Sequence, residues 1–156
     1  MEPPVAGLTP KLTEALPRTH GTYGLGLYLA APATRTIGAL GDHAFPSGVY
    51  IYVGSAWGPG GLRARVGRHL RGSPKLRWHI DYLRRITSPI VLWLAAETHL
   101  ECAWAQYLLA QPALSVIVPR FGASDCTCTT HLVYAGEIEL QSIHLPGHPQ
   151  FISCSG

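Results

Sequence analysis

Three β-prone runs, separated by glycine- and proline-rich breaks, restrict this chain more than any other feature. Gly21-Thr22-Tyr23-Gly24-Leu25-Gly26-Leu27-Tyr28-Leu29 alternates and carries aromatic and branched side chains, the pattern of a strand. Val49-Tyr50-Ile51-Tyr52-Val53 is strongly β-prone, and Pro89 to Ala96 is apolar enough for a buried strand. Thr34 to Leu40 is expected to form another short strand, closed by the turn Gly41-Asp42, with Pro46-Ser47-Gly48 punctuating the chain after it. The early strands are then joined as an antiparallel meander. Leu62, Val66 and Leu70 predict a helix over about 60–71. Gly72-Ser73-Pro74 stops it, and Leu76, Ile80 and Leu83 predict a second helix over about 75–86. Thr98-His99-Leu100-Glu101 has the Thr-x-x-Glu capping pattern and opens a third helix to about Ala110. Leu114–Val118 and His131–Ile138 are further candidate strands, with a turn-rich segment over 124–131. Residues 1–20 hold four prolines and read as a loose arm with a short helix near 9–16, and the tail 141–156 reads as irregular. Strands first, then mixed strands and helices, indicate an α+β domain over 21–140.

Composition supports one core and excludes several classes. The 156 residues are 47% apolar and only 13% charged, which is core-forming rather than disordered. No apolar stretch reaches the length of a transmembrane helix, and the N-terminus lacks the features of a signal peptide, so a cytoplasmic protein with no membrane partner is the default expectation. Cys126 and Cys128 are too close for an ordinary disulfide framework. The net charge of +3 says little, but its distribution says more. Arg63, Arg65, Arg68, Arg71, Lys75, Arg77, Arg84 and Arg85 crowd into one stretch that contains a single acid, Asp81. Such a local excess points to a polyanion, with a solvated helix pair as the plain alternative.

The chemistry gathers near predicted strand and helix ends. Tyr23 and Tyr52 lie in two strands, Arg65 and His69 are four apart on one helix face, and Glu101 opens a later helix. A phenol, an imidazole, a guanidinium and a carboxylate can make a phosphodiesterase site. The carboxylate would hold a divalent ion that polarises a phosphate, the guanidinium would neutralise charge growing on phosphorus, and a tyrosine or histidine would orient or deprotonate water.

The ordered set Gly21-Thr22-Tyr23, Tyr52-Val53-Gly54, Arg65-x-x-x-His69 and Glu101 resembles the GIY-YIG nuclease superfamily. More narrowly, it resembles an uncharacterised branch whose members are sometimes fused to endonuclease III-type DNA glycosylases. Tyr50-Ile51-Tyr52-Val53-Gly54-Ser55-Ala56, Arg68-His69, Trp78-His79-Ile80-Asp81-Tyr82-Leu83 and Phe121-Gly122-Ala123-Ser124-Asp125-Cys126 carry that narrower likeness. The resemblance spans about residues 20–135. It implies a small antiparallel sheet with a three-stranded core plus extra strands, flanked by helices. It also implies hydrolysis of DNA by direct water attack with Mg²⁺ or Mn²⁺ held by Glu101. Tyr23 and Tyr52 take the paired tyrosine positions, either one the general base, with Arg65 stabilising the phosphate and His69 assisting proton transfer. Ser55, His79 and Asp125 are candidates for supporting contacts, and a DNA glycosylase or other repair protein is a candidate partner. Tyr23 and Tyr52 stand farther apart than is usual in the family, and an inserted hairpin over about 32–46 would account for the difference.

Several features carry a competing account. Arg63, Arg68, Arg71, Lys75 and Arg77 are candidates to hold the DNA backbone, in salt-sensitive and weakly sequence-selective contacts. The same cations would serve a module that binds nucleic acid without cutting it and targets a repair enzyme. Glu101 could instead close a capping box with Thr98. Gly58-Pro59-Gly60-Gly61 lacks the ending of a nucleotide-binding loop but could offer a helix N-terminus to one backbone phosphate. Cys126, Cys128 and His131 place three N/S ligands within six residues, with Cys102 as a fourth distant in sequence. Structural zinc normally takes four ligands at wider spacing, so a cysteine-containing turn beside the active site is preferred over a zinc centre.

Overall fold

The computed structural model describes residues 8–154. Five strands, β1 (Gly21–Leu29), β4 (Gly48–Ala56), β5 (Ser88–Ala96), β6 (Leu132–Gly136) and β7 (Gln150–Ser153), form one antiparallel sheet. Their order is β6-β4-β1-β5-β7, so β4-β1-β5 makes the three-stranded centre of an α+β fold. β2 (Ala33–Thr36) and β3 (Asp42–Phe45) pair as a separate hairpin inserted between β1 and β4. The expected meander is therefore replaced by direct pairing of β1 with β4, while the hairpin stands where the wide tyrosine spacing called for one. The strand expected to run to Leu40 ends at Thr36, because Ile37 turns into the core and a 3-10 turn follows over Gly38–Leu40.

Strand alternation gives the sheet two apolar faces. Tyr23, Leu25, Leu27, Leu29, Tyr50, Tyr52, Leu92 and Leu94 belong to one buried cluster. α1 (Leu8–Ala15), α2 (Gly61–Arg71), α3 (His79–Arg84) and the hairpin cover it. The stripe Leu62, Val66 and Leu70 of α2 is buried there as expected. Val49, Ile51, Val53 and Trp93 belong to the other cluster, with Trp104, Ala105 and Leu108 of α4 (Glu101–Leu109) and Leu140 and Leu145 beyond. No helix among the described residues is long and apolar enough to cross a membrane.

The structure corrects several expected boundaries. The short helix expected at 9–16 is α1, and the segment after it is docked rather than loose, since Leu12 packs on the core and Leu16 lies within it. Residues 1–7 of the expected arm lie outside the described residues. The second helix begins at His79 rather than 75. Asp81 accepts the backbone N–H groups of Arg77 and Trp78 at 2.9 Å each, which fixes the helix start and leaves Leu76 exposed. Leu114–Val118 is not a strand; Ser115 makes a single bridge to Tyr134 before Pro119. The tail expected to be irregular contributes β7, which pairs with β5 along Val91–Leu94.

Candidate active site

At the end of the sheet where β1 begins and β4 finishes, a cleft of about 240 Å³ opens. Tyr23, Tyr52, Ser55, Arg65, Arg77, Trp78, His79, His69, Glu101 and Asp125 all line it. Every candidate catalytic and supporting position from the sequence therefore faces one space. A larger groove of about 480 Å³ lies at the opposite end of the same strands, near Tyr28 and Val49, and gathers no comparable set.

Tyr23 is fully buried, and its hydroxyl lies 2.7 Å from His69 Nε2. Adjacency of β1 and β4 puts the Tyr52 ring 6.3 Å from the Tyr23 ring, and Tyr52 also packs edge-on against His69 and Phe121. Burial drives His69 down to about 3, with Arg65 and Arg68 adding to the effect against the pull of Asp81, so the imidazole is neutral near pH 7. Burial raises Tyr23 and Tyr52 above the usual phenol range, and Arg65 opposes the rise in both. Gly54 permits this approach: a Cβ there would meet the Tyr23 hydroxyl oxygen at 2.4 Å. Gly122, at φ +67°, backs onto the Tyr52 ring in the same way.

Arg65 is held in place by Trp78. Its guanidinium stands 4.1 Å from the Trp78 ring centre and donates to Ser55 O at 3.2 Å. Arg68 and Arg77 flank the same ring at 4.5 and 5.3 Å. Arg68 is also tied to Asp81 at 2.7 Å, whereas Arg63 donates to Leu16 O and secures the chain leading into β1. Arg84 donates to His69 O, Leu70 O and Thr87 O and is part of the scaffold. Arg71, Lys75 and Arg77 are exposed. A shallow groove lined by Arg65, Arg68, Arg77, Trp78 and Gly58-Pro59 adjoins the cleft. The N-terminus of α2 does not offer the phosphate cradle expected of that loop. The N–H groups of Gly61, Leu62, Arg63 and Ala64 already donate to Gly58, Thr19, Pro17 and Gly60.

Glu101 is the first residue of α4, and no capping box forms. The Thr98 hydroxyl donates to Ala96 O, so the competing role for Glu101 falls away. Thr22 positions this helix instead. Its buried hydroxyl donates to Thr98 O at 2.7 Å and accepts the Leu100 N–H at 2.9 Å. Burial raises the Glu101 carboxyl, Ser55 and Arg65 oppose that, and Asp125 adds to it. His79 Nδ1 accepts the Gly122 N–H at 2.8 Å, which puts the proton of the neutral ring on Nε2, a donor available to the cleft.

The loop 120–131 forms one wall. Arg120 organises it: its guanidinium donates to the carbonyls of Ala123, Cys126 and Cys128, and its N–H donates to Thr129 O. The fold also brings Cys102, distant in sequence, to Cys126, Cys128 and His131. Burial and the neighbouring thiols Cys102 and Cys126 push Cys128 up to about 12. Trp78, Thr22 and Arg120 were not among the sequence candidates. Their roles rest on partners far along the chain, although Trp78 and Thr22 do lie inside the motif blocks.

Residues 22–145 match the family described as domain of unknown function DUF123. The chain belongs to this family. The DUF123 stretch begins at Thr22, contains every cleft residue from Tyr23 to His131, and ends before β7. No curated protein and no solved structure matches the chain.

Proposed function

We propose that this protein is a metal-dependent endonuclease of the GIY-YIG type that hydrolyses phosphodiester bonds in DNA. The observation that carries this proposal is the single cleft shared by Tyr23, Tyr52, Arg65, His69 and Glu101, with Tyr23 hydrogen-bonded to a neutral His69. The donor set fits a hard divalent ion. Glu101 is a partly exposed carboxylate opening on the cleft, with Asp125 as a second acid nearby, and Mg²⁺ needs only one or two carboxylates when it keeps water and substrate phosphate as ligands. When bound, Mg²⁺ or Mn²⁺ would polarise the phosphate and stabilise the leaving oxygen.

The protein's own groups divide the remaining work. Arg65, fixed by Trp78 and Ser55, faces charge growing on the phosphate oxygens. One tyrosine takes a proton from the attacking water. Burial keeps both phenols protonated, so a tyrosine can only relay a proton, taking one from water as its own passes to a phosphate oxygen. His69 is too weak a base here to keep that proton; its Nε2 hydrogen bond orients the Tyr23 hydroxyl, which favours Tyr23 for this role. Arg77, exposed at the cleft, and Arg71 and Lys75, exposed on the segment from α2 to α3, hold the backbone, while Arg63 and Arg68 serve mainly inside the protein.

Cleavage of end-labelled duplex, single-stranded, flapped, forked and abasic DNA with Mg²⁺, Mn²⁺ or EDTA tests the proposal. Metal-dependent cutting is expected from the wild type, with a loss of at least about 100-fold in Glu101→Gln and Arg65→Ala. Salt-sensitive gel shifts without any cutting would replace the enzyme by a nucleic-acid-binding module.

A further inference from the structure

We propose that Cys102, Cys126, Cys128 and His131 form a structural zinc site that pins the loop 120–131 to α4. Their four ligand atoms, three thiol sulfurs and one imidazole nitrogen, lie within 4.8 Å of one another. In tetrahedral zinc coordination with three sulfurs and one nitrogen, ligand atoms stand about 3.5–3.8 Å apart. Cys126 Sγ and His131 Nε2 are already 3.4 Å apart, so a small closing of the remaining ligands completes the shell. All four cysteines of the described chain are free thiols, and three of them meet here although Cys102 comes from α4 and the other two from a loop. The donor set is soft and complete. Three sulfurs and one imidazole suit zinc, and four protein ligands leave no position for substrate, which makes the site a brace.

The surroundings favour the same assignment. Zinc with three thiolates carries one negative charge, and the Arg120 guanidinium donates to the carbonyls of both Cys126 and Cys128. The Cys126-x-Cys128-x-x-His131 backbone is thus already folded back on itself. His131 is 2% exposed, and its Nδ1 is buried with no hydrogen-bond partner among the described residues. That nitrogen stands 3.8 Å from Glu101 Oε1. With zinc on Nε2 the proton resides on Nδ1, facing a carboxylate, which is the usual support of a zinc-bound histidine. The brace would therefore fix the loop carrying Ser124 and Asp125 and orient Glu101 through His131. The zinc assignment does not depend on DNA being the substrate.

The test uses the full, untagged, reduced chain. Elemental analysis of protein grown with zinc is expected to give about one zinc per chain, resistant to dialysis. Co²⁺ added to the metal-free protein is expected to produce thiolate-to-cobalt charge-transfer bands and the intense visible bands of a tetrahedral site. Cys128→Ser and Cys102→Ser should weaken Co²⁺ binding by at least about 100-fold. Cys154→Ser, which removes the buried cysteine outside the cluster, should leave it unchanged. Hydrogen exchange over 120–131 should quicken when zinc is stripped. Folded, reduced wild-type protein that takes up no zinc, or that binds Co²⁺ without thiolate bands, overturns the proposal even if the cysteine variants fail to fold. Equal loss of binding in Cys154→Ser overturns the ligand assignment. None of these readouts requires DNA cleavage, so this proposal and the nuclease proposal fail separately.

Discussion

His69 is the most constrained side chain in the cleft. Its Nε2 meets the Tyr23 hydroxyl, its Nδ1 has no hydrogen-bond partner among the described residues, and the residue is 2% exposed. Because burial takes it from about 6.5 to about 3, the unfolded chain binds the proton first as pH falls. His69 therefore contributes a loss of stability that starts near pH 6.5 and continues toward about 3, at about 1.4 kcal/mol per pH unit. Unfolding free energies measured by urea between pH 7.5 and 5 should fall less steeply, by one proton's worth, in His69→Gln than in the wild type. Equal slopes would mean that His69 is charged in the fold. Gly54 is the second residue-scale test. Gly54→Ala places a methyl group on the Tyr23 hydroxyl, and the ring must move off His69. The substitution should cost about 1–3 kcal/mol in thermal unfolding and reduce cleavage by at least about 10-fold. Cleavage at the wild-type rate would show that the Tyr23–His69 bond is dispensable. Tyr23, Tyr52, Arg65, His69 and Glu101 could be chosen from the sequence because they form an ordered set at strand and helix ends. Trp78, Thr22 and Arg120 could not, since a cation-bearing face or a hydroxyl joining a strand to a distant turn exists only once distant segments meet.

At the scale of elements, Thr22 acts as a clasp between β1 and the start of α4. Without its hydroxyl, the Leu100 N–H and Thr98 carbonyl lose their partner, and no other hydrogen bond among the described residues serves these two groups. Thr22→Val keeps the shape and removes the bond. A loss of about 1–3 kcal/mol is expected in denaturant unfolding, together with a higher Mn²⁺ concentration for half-maximal cleavage as Glu101 shifts. An unchanged metal requirement would detach Thr22 from the placement of Glu101. The strands β1, β4 and β5 and the helix α2 were legible because the alternation of β1, the β-prone and apolar runs of β4 and β5, and the stripe of α2 match the faces they bury. Periodicity misled where a local hydrogen bond decides the outcome. Leu76 fits the stripe of α3, but Asp81 captures the backbone two residues later and starts the helix at His79. The Thr98-to-Glu101 spacing fits a capping box, but Thr98 turns back to Ala96. β7 was missed because a short edge strand after a run of turns has no periodicity of its own, and only its pairing with β5 defines it.

Across the whole molecule, cations gather around the cleft end of the sheet and outnumber Glu101 and Asp125, the two acids that line it. Arg65, Arg68 and Arg77 border the cleft and its adjoining groove, with Arg71 and Lys75 exposed on the segment from α2 to α3. Glu137 and Glu139 line the groove at the opposite end of β1 and β4. A polyanion approaching this surface is attracted to one end and repelled from the other, so the field delivers it to the cleft. The cations available for this are the ones without an internal assignment. Arg63 is committed to Leu16 O, Arg84 to three carbonyls and Arg68 to Asp81, and replacing them would perturb the fold as well as binding. Replacement of Arg71, Lys75 and Arg77 by alanine should therefore separate the two effects. Thermal stability should change by no more than about 0.5 kcal/mol for each exposed site. Duplex binding should weaken, and the slope of log K against log salt should fall in magnitude by about 0.9 for each phosphate contact removed, or about 2–3 in the triple variant. The same shift should appear with unrelated duplex sequences, because backbone contacts carry no base information. A triple variant that binds DNA with the wild-type salt slope would move the binding face away from this end of the sheet and leave the cleft without its means of capturing substrate.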